Sequence, residues 1–566
     1  MRNTCKAGKV YTFDFEATTK EPVYAYMLSI VNMYNIEERY NYTCEDGDVV
    51  EIFLNFMRSC KSGTKFYAHN LTYDHAIIRS WCHFREGQEH IPLFDEFILP
   101  GNRKVIKSTV TFLDREIHLH DSFVLFASSL AQVMEGYTDL HKGDTPIFHY
   151  RQDVEIRPED ILYCENDAVG LAIALRKRLE QGANRMTLAS DAKQIWSRMG
   201  REFYGTQNFS GQIVPHLEYD VDATLRPAYK GGFCYVNEIF ADRTLEGPIQ
   251  VFDVNSMYPA MMLKQMPVGK PVYVKAGKVV PNVKYPLGIQ KFIVREAHLK
   301  EGKVPHITNG GNTRFGGLVY IKDIEPEMPE NKRTFSLTLE EFELFNESYF
   351  YEGLRYLGGY HFKSMDGVFS QYIDRFTEMK NSSDPATKIF GKTMLNSLYG
   401  KMGENPNKQT LEIVFEDDVQ KYKIAFEEIK TGGYLPMAIY ITSYSRIHLI
   451  RSIYTIGVDH FIYTDTDSIH CFKTPNTDNL DQHPSRFGAW KLEDDNIKRA
   501  KYLRTKRYVQ EMEDGQCKPV CAGIRKSDLK RHVKSVDDFY IGRPIPTEKV
   551  RYGIGGQYFR PTLVKI

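Results

Sequence analysis

Phosphoryl transfer needs acids placed so that metal ions can bridge them, and two stretches of this chain offer that. Tyr463-Thr464-Asp465-Thr466-Asp467-Ser468 lies between apolar and aromatic runs, Phe461-Ile462 before it and Ile469-His470-Cys471-Phe472 after it. The pattern predicts a β-hairpin with a polar tip. Asp and Ser are ordinary turn residues, but two carboxylates at one tip also repel each other. A hard divalent cation resolves that repulsion, and Mg²⁺ often takes one or two protein carboxylates plus substrate phosphates. The second stretch, Gln250-Val251-Phe252-Asp253-Val254-Asn255-Ser256-Met257-Tyr258-Pro259, predicts a strand, an acid at its end and a tight turn into an apolar helix. One acid at a strand end beside two at a hairpin tip can hold a pair of ions. Paired ions activate an attacking oxygen and stabilise a leaving one.

A second set of acids lies near the N-terminus. Asp14 and Glu16 stand at i and i+2 of the strand pattern at residues 10–18, which puts both carboxylates on one face. Tyr67-Ala68-His69-Asn70-Leu71-Thr72-Tyr73-Asp74 reads as another strand, ending in a polar cluster and an acid. Tyr163 and Asp167 follow Pro158 on a predicted helix, four residues apart and so on one side. Each of these is commonly structural when alone; within one domain-sized segment each gains weight from the other two.

The elements that would position substrate lie around the later acids. Asp384-Pro385 predicts a helix start, Asp as N-cap and Pro at the first helical position. Lys388, Lys392, Asn396 and Tyr399 then recur on one face of that helix. Such a stripe is usually the wet side of an amphipathic helix. Tyr229-Lys230-Gly231-Gly232-Phe233 holds paired glycines, which let backbone approach a neighbour or a phosphate closely. Residues 498–508 form the most basic run, with Tyr502 and Tyr508 interleaved.

Composition sets wider bounds. The chain has 566 residues, enough for more than one domain, and 42% are hydrophobic, enough for large cores. Lys+Arg and Asp+Glu are both 73, so a nucleic-acid partner would have to be met by charge segregated onto one face. The 9 cysteines are scattered and only Cys517 and Cys521 sit close, without the second pair a zinc site needs. Reduced thiols are expected, as is the absence of a signal segment. No run approaches the ~18 apolar residues of a membrane span.

The motif pair D-x-x-S-x-Y-P (Asp253 to Pro259) and Y-x-D-T-D-S (Tyr463 to Ser468) resembles motifs A and C of family B DNA polymerases. Lys392-x-x-x-Asn396-Ser397-x-Tyr399-Gly400 resembles motif B, Tyr229-x-Gly231-Gly232 the Y-x-G-G motif, and Lys506-Arg507-Tyr508 the K-x-Y motif. The N-terminal acids resemble the three motifs of DEDDy-type 3′–5′ exonucleases. In this order, over nearly the whole chain, the resemblance is to the protein-primed replicases of small tailed Bacillus phages.

It implies an α/β (α+β) multidomain fold, an RNase H-like exonuclease followed by a right-hand polymerase with two insertions. The expected boundaries are 1–195 for the exonuclease, 196–264 and 431–522 for the palm, and 368–403 for the fingers. Residues 265–367 would form an insertion contacting a terminal protein, its glycine-rich part serving as a priming loop. Residues 404–430 would form a second insertion, for strand displacement and processivity, and 523–566 a small thumb.

The resemblance implies site residues too. Asp14, Glu16, Asp74 and Asp167 would hold two ions, with Tyr163 orienting water, Lys142 assisting electrostatically and Asp144 helping with metal. Asp253, Asp467, Asp465 and the Val254 carbonyl would hold two more; the ions would be Mg²⁺, or Mn²⁺ in their place. Tyr258 would exclude a 2′-hydroxyl, and Lys380, Lys392, Asn396 and Tyr399 would bind the incoming dNTP. His69, Asn70, Tyr73, Ser122 and Phe123 would contact single-stranded DNA. Tyr229, Gly231, Gly232, Thr442, Arg446, Lys506 and Tyr508 would contact primer-template, with Thr442 and Arg446 just before a helix and on phosphates.

The family often has Thr directly after the first D-x-E acids, where this chain has Ala17, then Thr18. Replication of a linear phage genome by protein-primed initiation and strand displacement is the reading this supports, by a monomer in the cytoplasm of an infected bacterium. A plasmid or mobile-element polymerase using ordinary DNA primers shares the motifs, and a DNA-binding protein with dead sites is the reading from another class. Adjacent acids in place of Asp-Thr-Asp would have pointed to a reverse transcriptase.

Overall fold

A computed structural model describes residues 9–566 except 20–23, 89–90, 207, 309–317, 417–418, 430–432 and 554–555. The glycine-rich stretch expected to act as a priming loop falls largely at 309–317, outside the described residues.

The N-terminal half is built on a nine-stranded sheet. Within it the strand Val10–Ala17 pairs antiparallel with Ala25–Asn32 and parallel with Lys65–Ala68, which pairs parallel with Arg115–Asp121, the middle strand of the nine. Phe13, Phe15, Phe53 and Phe66 pack on one face of this sheet. On the other, the helix Pro158–Glu180 crosses the first two strands. It is pinned there by the Thr12 hydroxyl donating to the Ala168 carbonyl (2.7 Å). The sheet continues through Val105–Phe112 and Leu93–Ile98 into a hairpin from far along the chain, Asn407–Glu416 and Val419–Ile429. That hairpin lies within residues 404–430, the range expected to hold a second insertion.

The second half is built on a seven-stranded antiparallel sheet. Its middle holds Thr244–Val254 between Trp490–Arg504 and Ser468–Phe472, with Phe461–Asp465 beyond. The helices Met257–Met262 and Leu435–Ile456 pack together against it, within the largest apolar core of the molecule. That core also takes in the antiparallel pair Ser370–Lys380 and Pro385–Met402 and the helix Leu188–Tyr204. A four-stranded and a three-stranded sheet with the helix Leu339–Ser348 occupy most of residues 265–367. The chain ends in a two-stranded hairpin, Pro544–Gly553 and Gly556–Lys565, whose last strand passes the helix Thr72–His83.

Three local expectations change. The boundary expected at 195 falls inside the helix Leu188–Tyr204, whose Trp196 indole donates to the Val368 carbonyl (3.1 Å) while its buried Asp191 pairs with Arg178 of the helix Pro158–Glu180 (2.6 Å); the helix is tied to both halves. The strand expected to run to Asp74 ends at Ala68, because Asn70 turns the chain with φ of 69° into the helix Thr72–His83. Thr442 and Arg446 lie inside the helix Leu435–Ile456 rather than before it.

Candidate active sites

In the N-terminal half, the strand Val10–Ala17 and the helix Pro158–Glu180 bring Asp14, Glu16 and Asp167 together, with carboxylate oxygens within 4.8 Å of one another. They line a cleft of about 600 Å³ with Asn70, Tyr73, Phe123, Lys142 and Tyr163. Burial pushes all three acids above their ordinary range, and for Asp14 and Glu16 mutual repulsion adds to it. Lys142 pairs with Asp167, its ammonium 5.0 Å from the centre of the Tyr163 ring. Burial alone would lower Lys142, but Asp167 and Asp14 outweigh it and hold the ammonium charged. The other oxygen of Asp167, Oδ1, is buried with no hydrogen-bond partner among the described residues. One lysine among clustered acids leaves negative charge uncompensated, so the residues fit bound divalent cations.

Other expected residues take different places. Asp74 stands behind the cleft, buried, its carboxylate accepting from the Phe15 amide (3.1 Å). Asp144 is exposed and outside the acid cluster. His69 is a brace: Nε2 donates to the Ser128 carbonyl (2.9 Å), Nδ1 lies 3.0 Å from the Ser122 hydroxyl, and burial lowers the ring to about 4. Ser122 is fully buried, donating to the Ala68 carbonyl (2.9 Å), so it cannot meet a strand. Asn70, Tyr73 and Phe123 do face the cleft. The Tyr73 hydroxyl accepts from the Ala17 amide (3.1 Å), which ties that ring to the strand carrying the acids.

Residues without a local signature also enter. His149 places Nδ1 3.7 Å from Glu16. Lys104 sits 3.5 Å over the Phe123 ring. Asp121 accepts the amides of Asn70, Leu71 and Phe123, which fixes the turn that presents Asn70.

In the second half, register does the positioning. Ser468 pairs with Asp253, and the Val254 amide donates to the Asp467 carbonyl (2.8 Å), so the strand end and the hairpin tip meet. Burial, then Asp467, then Glu493 push Asp253 up to about 7. Asp467 is raised by burial and by Asp465. Among the described residues neither Asp253 nor Asp467 forms an ion pair, which again fits a bound cation.

Asp465 differs from its neighbour. Both of its oxygens lie 3.0 Å from the Lys506 ammonium, and one accepts from the Tyr463 hydroxyl (3.2 Å). Ligand or electrostatic partner were its two expected roles, and the contact it makes here is with Lys506. Lys506 is thereby held beside the acids at a tight turn, its own φ at 57°. Tyr508 packs among Tyr463, Tyr502 and His470.

Around these acids, Ser256 adopts φ of 48° and its hydroxyl accepts from Lys380 (2.9 Å). The Tyr258 and Tyr399 rings stack with centres 4.1 Å apart. Lys380 is lowered by burial and by the nearby Lys392, so two cations converge above the strand end. Lys392 and Asn396 also line a groove of about 710 Å³ against residues 126–137 of the N-terminal half.

The expected phosphate contacts of Thr442 and Arg446 are corrected. The Thr442 hydroxyl is buried and donates to carbonyls of its own helix, Ala438 and Ile439. Arg446 is 1% exposed. It grips Glu341 through Nε and Nη2 (2.8 and 2.6 Å), and Nη1 donates to the carbonyls of Lys230 and Gly231 (2.8 and 3.0 Å). It therefore holds the turn Tyr229-Lys230-Gly231-Gly232 in shape from behind. A Cβ at Gly232 would come within 2.8 Å of the Thr466 side chain, whereas one at Gly231 would meet nothing within 4 Å among the described residues. Gly232 lets the turn rest against the hairpin tip; Gly231 leaves open room above it.

A family model described as DNA polymerase type B, organellar and viral, matches residues 148–485. The chain is 32% identical to the DNA polymerase of Bacillus phage Nf, over 94% of its own length and 95% of that protein. It is also 32% identical to the DNA polymerase of Bacillus phage phi29, over 89% of this chain and 87% of that one. The structure of phi29 DNA polymerase with primer-template DNA and incoming nucleotide superposes with a TM-score of 0.85 at 27% identity, covering 99% of this chain and all of that one. Fold and sites together define a template-directed DNA polymerase with an N-terminal nuclease-type domain. The chain belongs to the organellar and viral type B DNA polymerases and is similar throughout to those of the phi29-like Bacillus phages. Among the described residues no helix is long and apolar enough to cross a membrane.

Proposed function

We propose that this polymerase replicates a linear phage genome from a protein primer, displacing the strand ahead and removing errors with its own 3′–5′ exonuclease. The observation that carries the reading is the presence of two separate acid centres in one chain, Asp14/Glu16/Asp167 and Asp253/Asp467, each on its own sheet. The solved relatives bind primer-template DNA, single-stranded DNA and incoming nucleotide, which supports the same three ligands here.

In polymerisation the primer 3′-hydroxyl attacks the α-phosphate of a dNTP and pyrophosphate leaves. Asp253 and Asp467, with the Val254 carbonyl, would hold two Mg²⁺ ions, or Mn²⁺ in their place, which supply charge to the attacking and leaving oxygens. Lys392 and Lys380 bind the triphosphate, where fixed positive charge stabilises what develops in transfer. Tyr258, stacked on Tyr399, forms a wall under the sugar that leaves no room for a 2′-hydroxyl. Asn396 and Tyr399 contact the nascent pair, and Lys506 and Tyr508 hold the primer end. The open room above Gly231, beside Tyr229, admits the template backbone.

In the nuclease centre Asp14, Glu16 and Asp167 would hold two ions, with Asp74 fixing the strand from behind. Tyr163 orients the attacking water and Lys142 stabilises charge beside Asp167. Asn70, Tyr73 and Phe123 take the frayed strand, the rings by stacking. Residues 265–367 present the surface for the terminal protein, whose side-chain hydroxyl replaces the primer end at initiation. The protein acts as a monomer in the cytoplasm of the infected host.

One gel tests the core of this. A labelled primer on a longer template with Mg²⁺ lengthens with dNTPs and shortens without them if both centres work. Shortening in both lanes would sink the assignment of Asp253 and Asp467. Protein priming fails if the cognate terminal protein never acquires a covalent dNMP.

A further inference from the structure

The helix Thr72–His83 gives Tyr73 and Asp74 to the nuclease centre from its first turn. Further along, the same helix directs Arg79 at the hairpin Asn407–Glu416/Val419–Ile429. Arg79 Nε lies 2.8 Å from Glu96 Oε1, and Nη2 donates to the Ile413 carbonyl (3.4 Å). Its guanidinium carbon sits 4.7 Å from the centre of the Phe94 ring and 5.9 Å from that of Phe415. His83, one turn on, stacks on Phe415 with ring centres 4.1 Å apart and planes 5° from parallel. Leu411 and Ile413 are buried in the apolar core of the N-terminal half, with Phe415 and Tyr422 packed against it.

Among the described residues the backbone ladder joining the hairpin to the sheet is thin by comparison: one pair, Leu411 with Ile98. A two-stranded ribbon is marginal in water without a surface to pack on. Side chains therefore hold this one in place, and Arg79 is the residue that joins Glu96, the hairpin backbone and both rings. It does not line the nuclease cleft.

We propose that Arg79 is a positioning residue for strand displacement: it latches the hairpin onto the nuclease half, so that the hairpin meets duplex DNA as a rigid wedge rather than a free ribbon. The inference rests on the strand-displacement reading given above and adds the element that holds the wedge. The helix that helps build the nuclease centre thus also sets the geometry of displacement, without any shared chemistry.

Two variants separate this from general damage. The double change R79M/E96Q removes both charges together and leaves neither unpaired, while Phe415→Ala acts from the hairpin side alone. Each full-length variant is measured for shortening of a single-stranded oligonucleotide, extension on an open template and extension through a duplex. Extension through duplex is expected to fall at least about tenfold and the other two to stay within about twofold. Hydrogen exchange at the amides of residues 411–415 should quicken in both variants. Arg79→Lys, which keeps the charge but not the fork, should fall between. Wild-type duplex extension in both variants, equal losses in all three assays, or unaltered exchange would each overturn the latch. A wild-type chain that extends on open template but never through duplex sinks the strand-displacement reading instead, and the exchange rates then decide the latch by themselves.

Discussion

Asp253 is pushed up to about 7 by burial and by the acids beside it, and that has a measurable sign. A raised carboxyl is protonated below its folded pKa, so a cation must displace a proton there. The Mg²⁺ concentration needed for half-maximal extension should therefore rise as pH falls below about 7, by about tenfold per unit. A requirement that stays flat between about pH 8 and pH 6 would argue against Asp253 as a ligand. Asp253→Asn or Asp467→Asn should cut extension by about a thousandfold, the order lost with a main charge-stabilising group, while shortening of single-stranded DNA continues. Tyr258→Val should relax the rejection of ribonucleotides; a variant as selective as wild type would leave Tyr258 as a packing residue only. The acids were legible because strand and hairpin periodicity fixes which face a side chain takes. Asp465 was only half legible: its separation from Asp467 depends on Lys506, forty-one residues on, and no local spacing announces that partner.

Among the elements, the helix Leu435–Ile456 was the hardest to read. It is buried on nearly every side, with only Arg451 and Thr455 exposed and with Thr442 and Arg446 among its buried residues, so no amphipathic stripe marks which face meets what. A buried arginine needs partners, and here they lie in two other elements: Glu341 on the helix Leu339–Ser348 and the turn carbonyls at Lys230 and Gly231. Arg446→Lys keeps the charge but loses the fork, so the turn should loosen. Extension should drop about tenfold or more with nuclease action unchanged; equal loss of both activities would mean simple misfolding. Gly232→Val tests the other side of the turn, by driving a side chain into Thr466. The helix start at Asp384-Pro385 stands where its capping residues put it, with the Asp384 carboxylate accepting the Thr387 amide (2.8 Å).

At the scale of the whole molecule, the two centres share a chain but not a sheet. Replacing Asp14 and Glu16 together by Ala should abolish shortening while extension on an open template persists within about twofold, as expected of distant, independent sites. Loss of both would show that the halves are coupled through more than contact. Order along the chain was legible from motifs, but the association of residues 407–429 with the N-terminal sheet was not. Alternating apolar residues predict a strand, not which of several sheets completes it. That association has a consequence for synthesis. While the ribosome is still making the polymerase half, Leu411 and Ile413, which bury into the N-terminal apolar core in the finished chain, do not yet exist. Apolar surface left open in this way invites association with another nascent chain. The N-terminal half expressed alone should therefore self-associate, and supplying the hairpin as a separate peptide should return it to monomers.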